Sequence, residues 1–198
     1  MPINREEVRE FFNGLACKWD SYAPAEDWIV TKIFTNIGSI QNQTVLDVGC
    51  GTGFLVPYYI QGNVGDLDCI DIAEQMIDVA RSKFDYANVN FICEDILEYE
   101  ADEKYDLIMI FNAFPHIPAT RETFMHLASL LKTDGIMTIA HSMSREKLIR
   151  HHDGLSESVS VNLPETPILE ELSRDSFRII KIADDDDMVQ IIFKKASI

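Results

Sequence analysis

The chain has 198 residues, of which 46% are hydrophobic, and its formal net charge is -16 at pH 7. This length suffices for one domain with a full core and is short for two, so we expect a single domain. The 17 lysine and arginine residues are spread among 33 acidic residues, which argues against nucleic acids and anionic membrane surfaces as partners.

The first half of the chain predicts helices followed by alternating strands and helices. Residues 4–40 have no strand pattern and predict one or two helices ahead of a sheet. Beyond them come three compact apolar runs that predict strands: 44–50, 65–72 and 88–95. Pro57 is compatible only with the first turn of a short helix after the first strand, and residues 73–84 have the apolar periodicity of an amphipathic helix.

The second half continues this alternation and ends in two further strands. Its first elements are predicted as a strand, a helix, a strand and a helix, at 105–114, 121–132, 135–142 and 166–174. The polar segment 143–164 predicts an irregular insertion. Strands predicted at 177–183 and 188–196 flank the acidic run 184–187, which is typical of a solvated hairpin turn, so no metal site is expected.

This order of elements predicts an α/β fold. Strands that are apolar on both faces and separated by helices indicate a parallel sheet covered on both sides. The last two strands are joined by a short polar connection and should therefore pair antiparallel. We expect a Rossmann-like, doubly wound sheet, mostly parallel, with a C-terminal antiparallel β-hairpin.

The stretch TVLDVGCGTGF, residues 44–54, contains a glycine-rich turn directly after the first predicted strand. Gly49, Gly51 and Gly53 would let backbone amides approach a ligand closely, because glycine lacks a Cβ and tolerates positive φ. Dinucleotide folds usually have the spacing GxGxxG, but here Phe54 stands where the third glycine would be. A nicotinamide-dependent oxidoreductase is therefore the weaker alternative.

Three acids are placed at or near the ends of three successive predicted strands: Asp47, Asp71 and Asp95. The carboxyl ends of parallel strands meet at one edge of an open α/β sheet, where ligands bind, so these acids predict one site. Three carboxylates would repel a pyrophosphate but suit a nucleoside that carries an ammonium and a sulfonium group. The alternative is that the acids cap the helices that follow them.

The segments VLDVGCGTG, DCIDIAEQMIDVAR, FICEDILEY and YDLIMIFNAFPHI resemble motifs I to IV of the class I S-adenosyl-L-methionine-dependent methyltransferases. The resemblance covers about residues 43–142 and implies a seven-stranded sheet. Within that superfamily the chain is most similar to small-molecule methyltransferases of type 11/25, which are related to the quinone and sterol C-methylating enzymes. Their N-terminal segment F...A..YD is echoed by Phe12, Ala16, Trp19 and Asp20.

The resemblance implies S-adenosylmethionine as cofactor and assigns roles to individual positions. Asp47 would orient the methionine amino group, and Asp71 and Asp95 would bind the ribose hydroxyls and the adenine amino group. The other implied cofactor-binding residues are those of the turn, the apolar neighbours of the adenine and an asparagine near the methionine: Gly49, Cys50, Gly51, Gly53, Ile72, Met76, Ile96 and Asn112.

A general base is useful when the methyl acceptor must lose a proton. Candidates are His116 near the end of the fourth strand, His141 at the end of the fifth, and His151 in the insertion, although each histidine could equally be a loop residue without a catalytic role. The predicted substrate pocket comprises two N-terminal aromatic residues, a phenylalanine and a histidine: Trp19, Tyr22, Phe114 and His152.

The implied domain is a single unit in four parts: a helical lid (1–40), a cofactor-binding core (41–142), a substrate-side insertion (143–164), and a terminal helix with hairpin (165–198). The expected partner is a small-molecule substrate. The protein is expected to be a monomer or a homodimer. A protein that binds the cofactor without turnover is the second alternative.

The cysteines and the absence of long apolar runs bear on the compartment. Cys17, Cys50, Cys69 and Cys93 form no CxxC pair, and buried free thiols are expected. The N-terminus lacks an apolar segment of signal-peptide length, and no apolar run approaches the roughly 18 residues that cross a bilayer. A cytoplasmic protein is therefore expected.

Overall fold

A computed structural model describes residues 3–22, 25–152 and 154–196, with the side chains of residues 151 and 152 left out. Three helical segments precede the sheet: α1 (Arg5–Leu15), a 3-10 helix (Ala16–Ser21) and α2 (Asp27–Ile37). The next elements, in chain order, are β1 (Thr44–Val48), α3 (Val56–Gln61), β2 (Asp66–Asp71), α4 (Glu74–Lys83), β3 (Val89–Cys93) and β4 (Tyr105–Phe111).

The remaining elements complete the sheet and its covering helices. They are a 3-10 helix (Phe114–His116), α5 (Arg121–Leu130), β5 (Leu131–His141), α6 (Arg145–His152), α7 (Thr166–Ser173), β6 (Phe177–Asp184) and β7 (Val189–Lys195). No helix among the described residues is both long and apolar enough to span a membrane.

The strands form one seven-stranded sheet in the order β3-β2-β1-β4-β5-β7-β6. All neighbours from β3 to β5 pair parallel, whereas β7 pairs antiparallel with both β5 and β6. The predicted α/β sheet with a C-terminal antiparallel hairpin is confirmed. The strand order reverses between β1 and β4, and in such sheets ligands bind at this switch point, beyond the carboxyl ends of the strands.

Each face of the sheet carries its own apolar cluster, because successive residues of a strand point to opposite faces. On β1, Leu46 belongs to one cluster and Val45 to the other. On β4, Ile108 and Leu107 divide in the same way. Burial on both faces explains why these strands are continuous apolar runs.

Two elements differ from the prediction. Strand β5 begins at Leu131 rather than at residue 135, and its register with β4 shifts between the pairs Tyr105–Leu131 and Leu107–Ile136. The four extra residues are Leu-Lys-Thr-Asp, and the run Lys-Thr-Asp before Gly135 has turn composition, which conceals the strand in the sequence. Helix α6 lies inside the segment expected to be irregular, because only Leu148 of its apolar residues is buried, which leaves a weak periodic signal.

The expectation of buried thiols is correct for Cys50 and Cys69 and wrong for Cys17 and Cys93, which are exposed. Cys17 lies in the first 3-10 helix, outside the sheet. Cys93 ends β3, which is the edge strand and is covered by fewer neighbours than β1 or β2.

Phe124 of α5 packs against the C-terminal hairpin, and its substitution tests this packing. Its ring is fully buried and lies 5.8 Å from the ring of Phe193 and 6.3 Å from that of Phe177. We expect Phe124→Ala to lower the free energy of unfolding by about 3–5 kcal/mol, because a large cavity is left in the core. Met125→Ala, whose side chain is 59% exposed, is the control. Equal losses for both variants in urea unfolding would contradict this packing.

Candidate active site

The turn after β1 brings backbone close to two neighbouring segments. Gly49 has φ 69° and Gly51 has φ 55°, a region that favours glycine. The amides of Gly49 and Cys50 both donate to the carbonyl oxygen of Ile70 on β2, at 2.8 and 3.1 Å. A Cβ on Gly49 would lie 2.5 Å from the Cβ of Ala113, so only glycine fits between the turn and the segment after β4.

Gly53 is a predicted cofactor-binding residue, but the structure places it elsewhere. It does not line the cavity at the carboxyl ends of the strands, and a Cβ at this position would lie 2.9 Å from the ring of Phe84. Its φ is 81°. Gly53 therefore lets the turn pack on the residue after α4, which is a structural reason for glycine at this position.

Asp71, the last residue of β2, is fixed by two backbone amides. Its Oδ2 accepts a hydrogen bond from the amide of Gly51 at 2.8 Å, and its Oδ1 accepts one from Ala73 at 2.9 Å. Burial raises the pKa of this carboxyl to about 6, although the two amide hydrogen bonds act in the opposite direction. The carboxylate is thus held rigidly beside the glycine turn.

Asp47 on β1 is more deeply buried, with only 2% of its surface exposed. Its Oδ2 atom has no hydrogen-bond partner within the described part of the chain. Burial, and secondly the negative charge of Asp71, raise the pKa of Asp47 to about 8, although the nearby hydroxyl of Tyr59 acts in the opposite direction. A buried carboxyl group with an unused oxygen is suited to receive a cationic group of a ligand.

Asp95 follows β3 and is paired with a residue of the N-terminal helix. Its Oδ2 lies 2.9 Å from Nη1 of Arg5, which also lies 2.8 Å from Oε1 of Glu98, and its Oδ1 accepts the amide of Leu97 at 2.9 Å. Arg5 is not among the residues predicted for the site. Nothing in the local pattern around residue 5 indicates an ion pair with a residue 90 positions away.

The three acids border one cavity of about 940 Å³ at the carboxyl ends of the parallel strands. The cavity is also lined by all the other predicted cofactor-binding residues except Gly53: Gly49, Cys50, Gly51, Ile72, Met76, Ile96 and Asn112. The side chain of Asn112 exchanges two hydrogen bonds with Ser142, each 2.9 Å long, and so joins the ends of β4 and β5.

Two of the candidate histidines line the same cavity. The Nδ1 atom of His116 lies 2.9 Å from the carbonyl oxygen of Val159, and its ring meets that of Phe12 edge to face at 4.8 Å. His141 ends β5 and is 1% exposed. The side chains of His151 and His152 lie outside the described part of the structure, so their roles stay predictions.

The aromatic residues of the predicted substrate pocket divide into two groups. Trp19 and Tyr22 line the cavity, and their rings are 6.0 Å apart. Phe114 does not line it: the side chain is fully buried in the core and lies 6.0 Å from the ring of Phe124. The 3-10 turn that contains Phe114 directs this residue into the core, while His116 of the same turn lines the cavity.

The N-terminal segment contributes a second residue that the sequence analysis did not place in the site. Asp20 lines the cavity, and its Oδ1 accepts a hydrogen bond from the hydroxyl of Thr52 at 2.6 Å. Its Oδ2 lies 2.9 Å from Nζ of Lys83. The first 3-10 helix is therefore attached to both the glycine turn and α4.

Among the described side chains, no group of three or more His, Cys, Asp or Glu residues is arranged to hold a metal ion.

The buried Asp47 predicts a pH-dependent cost in the ligand-free protein. In the unfolded chain an aspartate has a pKa of about 3.9, and in the fold this pKa is raised, so folding favours the protonated form. The free energy of unfolding should therefore fall as the pH rises from about 4 to about 8, and no further above that. Asp47→Asn should remove this loss and be more stable than wild type at pH 8.5 by a few kcal/mol (order of magnitude).

The measurement is urea unfolding of both proteins, without ligand, between pH 5 and pH 8.5. Asp66→Asn, at the exposed start of β2, is the control and should differ from wild type by the same amount at every pH. A difference between Asp47→Asn and wild type that does not grow with pH would show that the carboxyl is not buried as described.

Comparisons with known proteins agree with this geometry. A family model described as "Methyltransferase domain" (Methyltransf_31) matches residues 40–190. The chain is 32% identical to malonyl-acyl-carrier-protein O-methyltransferase 1 of Ilyobacter polytropus over 95% of its own length and 72% of the relative. It is 31% identical to malonyl-acyl-carrier-protein O-methyltransferase of Acetivibrio thermocellus over 70% of its length. The match spans only half of that second relative.

Solved structures share the fold at low sequence identity. The magnesium protoporphyrin IX methyltransferase of Synechocystis with bound S-adenosylhomocysteine has a TM-score of 0.73 and 18% identity, over 98% of this chain and all of that one. The complex of DhpI with S-adenosylhomocysteine has a TM-score of 0.75 and 16% identity, over 96% of both chains.

These findings confirm the predicted family and favour neither the nicotinamide-dependent oxidoreductase nor a binding module without turnover. The glycine turn, the strand-end acids and the matches over most of the chain lead to one conclusion: this protein belongs to the class I S-adenosylmethionine-dependent methyltransferases, with S-adenosylmethionine as its cofactor.

Proposed function

We propose that this enzyme methylates a small molecule bound in the cavity at the carboxyl edge of its sheet. The observation that carries the proposal is the buried Oδ2 of Asp47, which lacks a partner among the described residues and lies beside the glycine turn. The ammonium group of the cofactor supplies the charge that this oxygen requires. The close approach of Gly49 to Ala113 requires glycine at this position, and the backbone of the turn would then face the methionine part of the cofactor.

The other cofactor-binding residues have roles that follow from their position along the strand ends. Asp71 would accept hydrogen bonds from the ribose hydroxyls with the remaining lone pairs of its oxygens. Asp95 would receive the adenine amino group, and the apolar residues that border the nucleoside end would pack on the adenine ring: Ile72, Met76 and Ile96. Asn112, attached to Ser142, would lie near the methionine carbon chain.

The methyl sulfonium of the cofactor is already activated, so the cofactor supplies the difficult chemistry. The protein then has to hold the acceptor in line with the methyl group and the sulfur, to exclude water, and to take up a proton. His116 is the residue we propose for the last task. A carbonyl oxygen can only accept, so Nδ1 of His116 donates to Val159 and the lone pair of the neutral ring is on Nε2.

We propose that residues 1–40 act as a lid within a single catalytic domain. Helix α1 is attached to the nucleoside end through Arg5 and Asp95, and to the insertion through the hydrogen bond from Ser158 to Glu7. The amide of Asn4 also donates to the carbonyl oxygen of Ser158 at 2.7 Å. The N-terminal segment and the insertion are thus joined to each other, and both contribute residues to the cavity, so closure of this segment would exclude water.

The relatives suggest a second candidate acceptor, a malonyl group on an acyl carrier protein. The observation in its favour is 32% identity over nearly the whole chain. The apolar and acidic lining of the cavity favours another class of acceptor.

The direct test of the function is release of S-adenosylhomocysteine when the purified protein is incubated with S-adenosylmethionine and a broad panel of metabolites. Release that depends on one or a few small molecules would support the proposal. Release only with a protein-bound substrate, or binding of the cofactor without release in any mixture, would contradict it.

Asp71→Ala should weaken the binding of S-adenosylmethionine. Loss of hydrogen bonds to a charged acceptor is worth about 1.5–3 kcal/mol, which corresponds to a roughly ten- to hundredfold higher Kd. Isothermal titration calorimetry measures the change directly. Asp66→Ala, at the opposite end of the same strand, is the control and should bind as wild type does. Unchanged affinity of Asp71→Ala would refute the ribose assignment.

His116→Gln should lower kcat by about 10²-fold or more, because a general base contributes that much to reactions that release a proton. The Kd for S-adenosylmethionine should stay within about twofold of wild type, since we propose that His116 acts on the acceptor and not on the nucleoside. Initial rates with an acceptor from the panel and calorimetry with the cofactor measure the two effects.

His126→Gln is the matched control for this prediction. The Nε2 atom of His126 lies 2.8 Å from the carbonyl oxygen of Ile96, so both histidines contact a backbone carbonyl, but His126 does not line the cavity. Equal effects of the two substitutions on kcat would indicate a structural role for His116.

A further inference from the structure

The part of the cavity beyond β4 and β5 has a mainly apolar wall. We call this part the acceptor end; it is bordered by His116, Ile117, His141, Met143, Leu148 and Leu155. The nucleoside and the methionine are assigned to the ends of β2, β3 and β1, so the methyl group would point toward β4 and β5. An acceptor at this end would rest mostly on hydrocarbon.

The charged groups that line the cavity are predominantly acidic. Its carboxyl-bearing residues are Asp20, Asp47, Asp71, Glu94 and Asp95. Arg5 is the one lysine or arginine that lines the cavity within the described ranges, and two carboxylates, those of Asp95 and Glu98, already hold its guanidinium. The electrostatic potential of these residues therefore disfavours an anionic acceptor beside the cofactor in this cavity.

The cations of α6, the helix that contributes Leu148 to the acceptor end, are also engaged. Arg145 pairs with Asp184 at 2.5 Å and donates to the carbonyl oxygens of residues 163 and 164. Lys147 donates to the carbonyl oxygen of Asp186 at 2.9 Å, and Arg150 pairs with Glu146 at 2.6 Å. These contacts direct the three side chains toward the hairpin turn and along the helix.

From these contacts we infer that the methyl acceptor is a non-acidic nucleophile, an amine or a hydroxyl on a compact apolar body, and not a carboxylate such as a malonyl group. The inference rests on the proposed function, since it names the substrate class of the same cavity. A buried carboxylate needs a paired cation to offset its desolvation, whereas a neutral or cationic acceptor does not meet this cost among acidic residues.

This acceptor class also agrees with a histidine at the acceptor end. The acceptor nitrogen or oxygen would form a bond to the methyl carbon of the cofactor as the carbon–sulfur bond breaks, and the electron pair of that bond would stay on sulfur. The proton that the acceptor loses would pass to Nε2 of His116, so charge and atoms balance without a further reactant. A carboxylate acceptor is already deprotonated and would leave this base without a task.

Three probes of similar size separate the charge classes: benzylamine, benzyl alcohol and benzoate. Binding of each is measured by calorimetry on the full chain saturated with S-adenosylhomocysteine. We expect the amine or the alcohol to bind at least about tenfold more tightly than benzoate. Benzoate binding as tightly as both, or no binding of any probe, would overturn the inference.

A variant with an added cation at the acceptor end tests the charge argument directly. Met143 borders the acceptor end and is partly buried, so Met143→Arg places a cation there with room for its stem. This variant should bind benzoate at least about tenfold more tightly than wild type. Met143→Gln, similar in length and without charge, should not. Equal benzoate affinities in the three proteins would contradict the charge argument.

A turnover assay separates failure of this inference from failure of the proposed function. Methylation of malonyl-coenzyme A or of a malonyl-loaded acyl carrier protein would overturn the acceptor class while leaving the enzyme a methyltransferase. By contrast, absence of S-adenosylhomocysteine release with every acceptor, acidic or not, would contradict the function itself.

Discussion

The candidate site depends on two carboxyl groups that the parallel sheet buries at adjacent strand ends. Val48 and Ile70 are paired in register, which brings the end of β1, with Asp47, beside the end of β2, with Asp71. Asp71 is satisfied by backbone amides, one of which belongs to the glycine turn, whereas Asp47 keeps an oxygen without a partner among the described residues. Burial of such a group is unfavourable until a cation arrives. Binding of a positively charged ligand would therefore relieve a cost that the fold itself creates.

The N-terminal segment compensates Asp95, whereas the ammonium group of the cofactor would compensate Asp47. Arg5 pairs with Asp95, and Asp20 accepts the hydroxyl of Thr52, so α1 and the first 3-10 helix contact the nucleoside end and the glycine turn. Neither contact reaches the open oxygen of Asp47. If the lid closes by these contacts, its closure would not compete with the ammonium group for Asp47, whereas Asp95 would be shared between Arg5 and the adenine amino group.

Much of the fold and of the cofactor side could be predicted from the sequence, because the signals are local. Asp71 follows an apolar run, and parallel strand ends must meet at one edge. The failures arise where distant residues decide. Arg5 pairs with Asp95, which is 90 positions away in the sequence. Glycine is required at position 53 because a Cβ would contact the ring of Phe84. Phe114 packs inward against Phe124 of α5. Helix α6 was missed because a single buried leucine gives little periodicity.

The same division explains why the family match supports the cofactor more strongly than the acceptor. The family match begins at residue 40, so it includes the turn and the strand-end acids but not α1 or the first 3-10 helix. The acceptor end is contacted by those omitted segments, since the ring of Phe12 on α1 meets that of His116. A change in the lid would thus reshape the space around the proposed base without altering any cofactor contact. Enzymes with a common core can therefore differ in what they methylate, and in this protein the side chains beyond β4 and β5 would decide the acceptor.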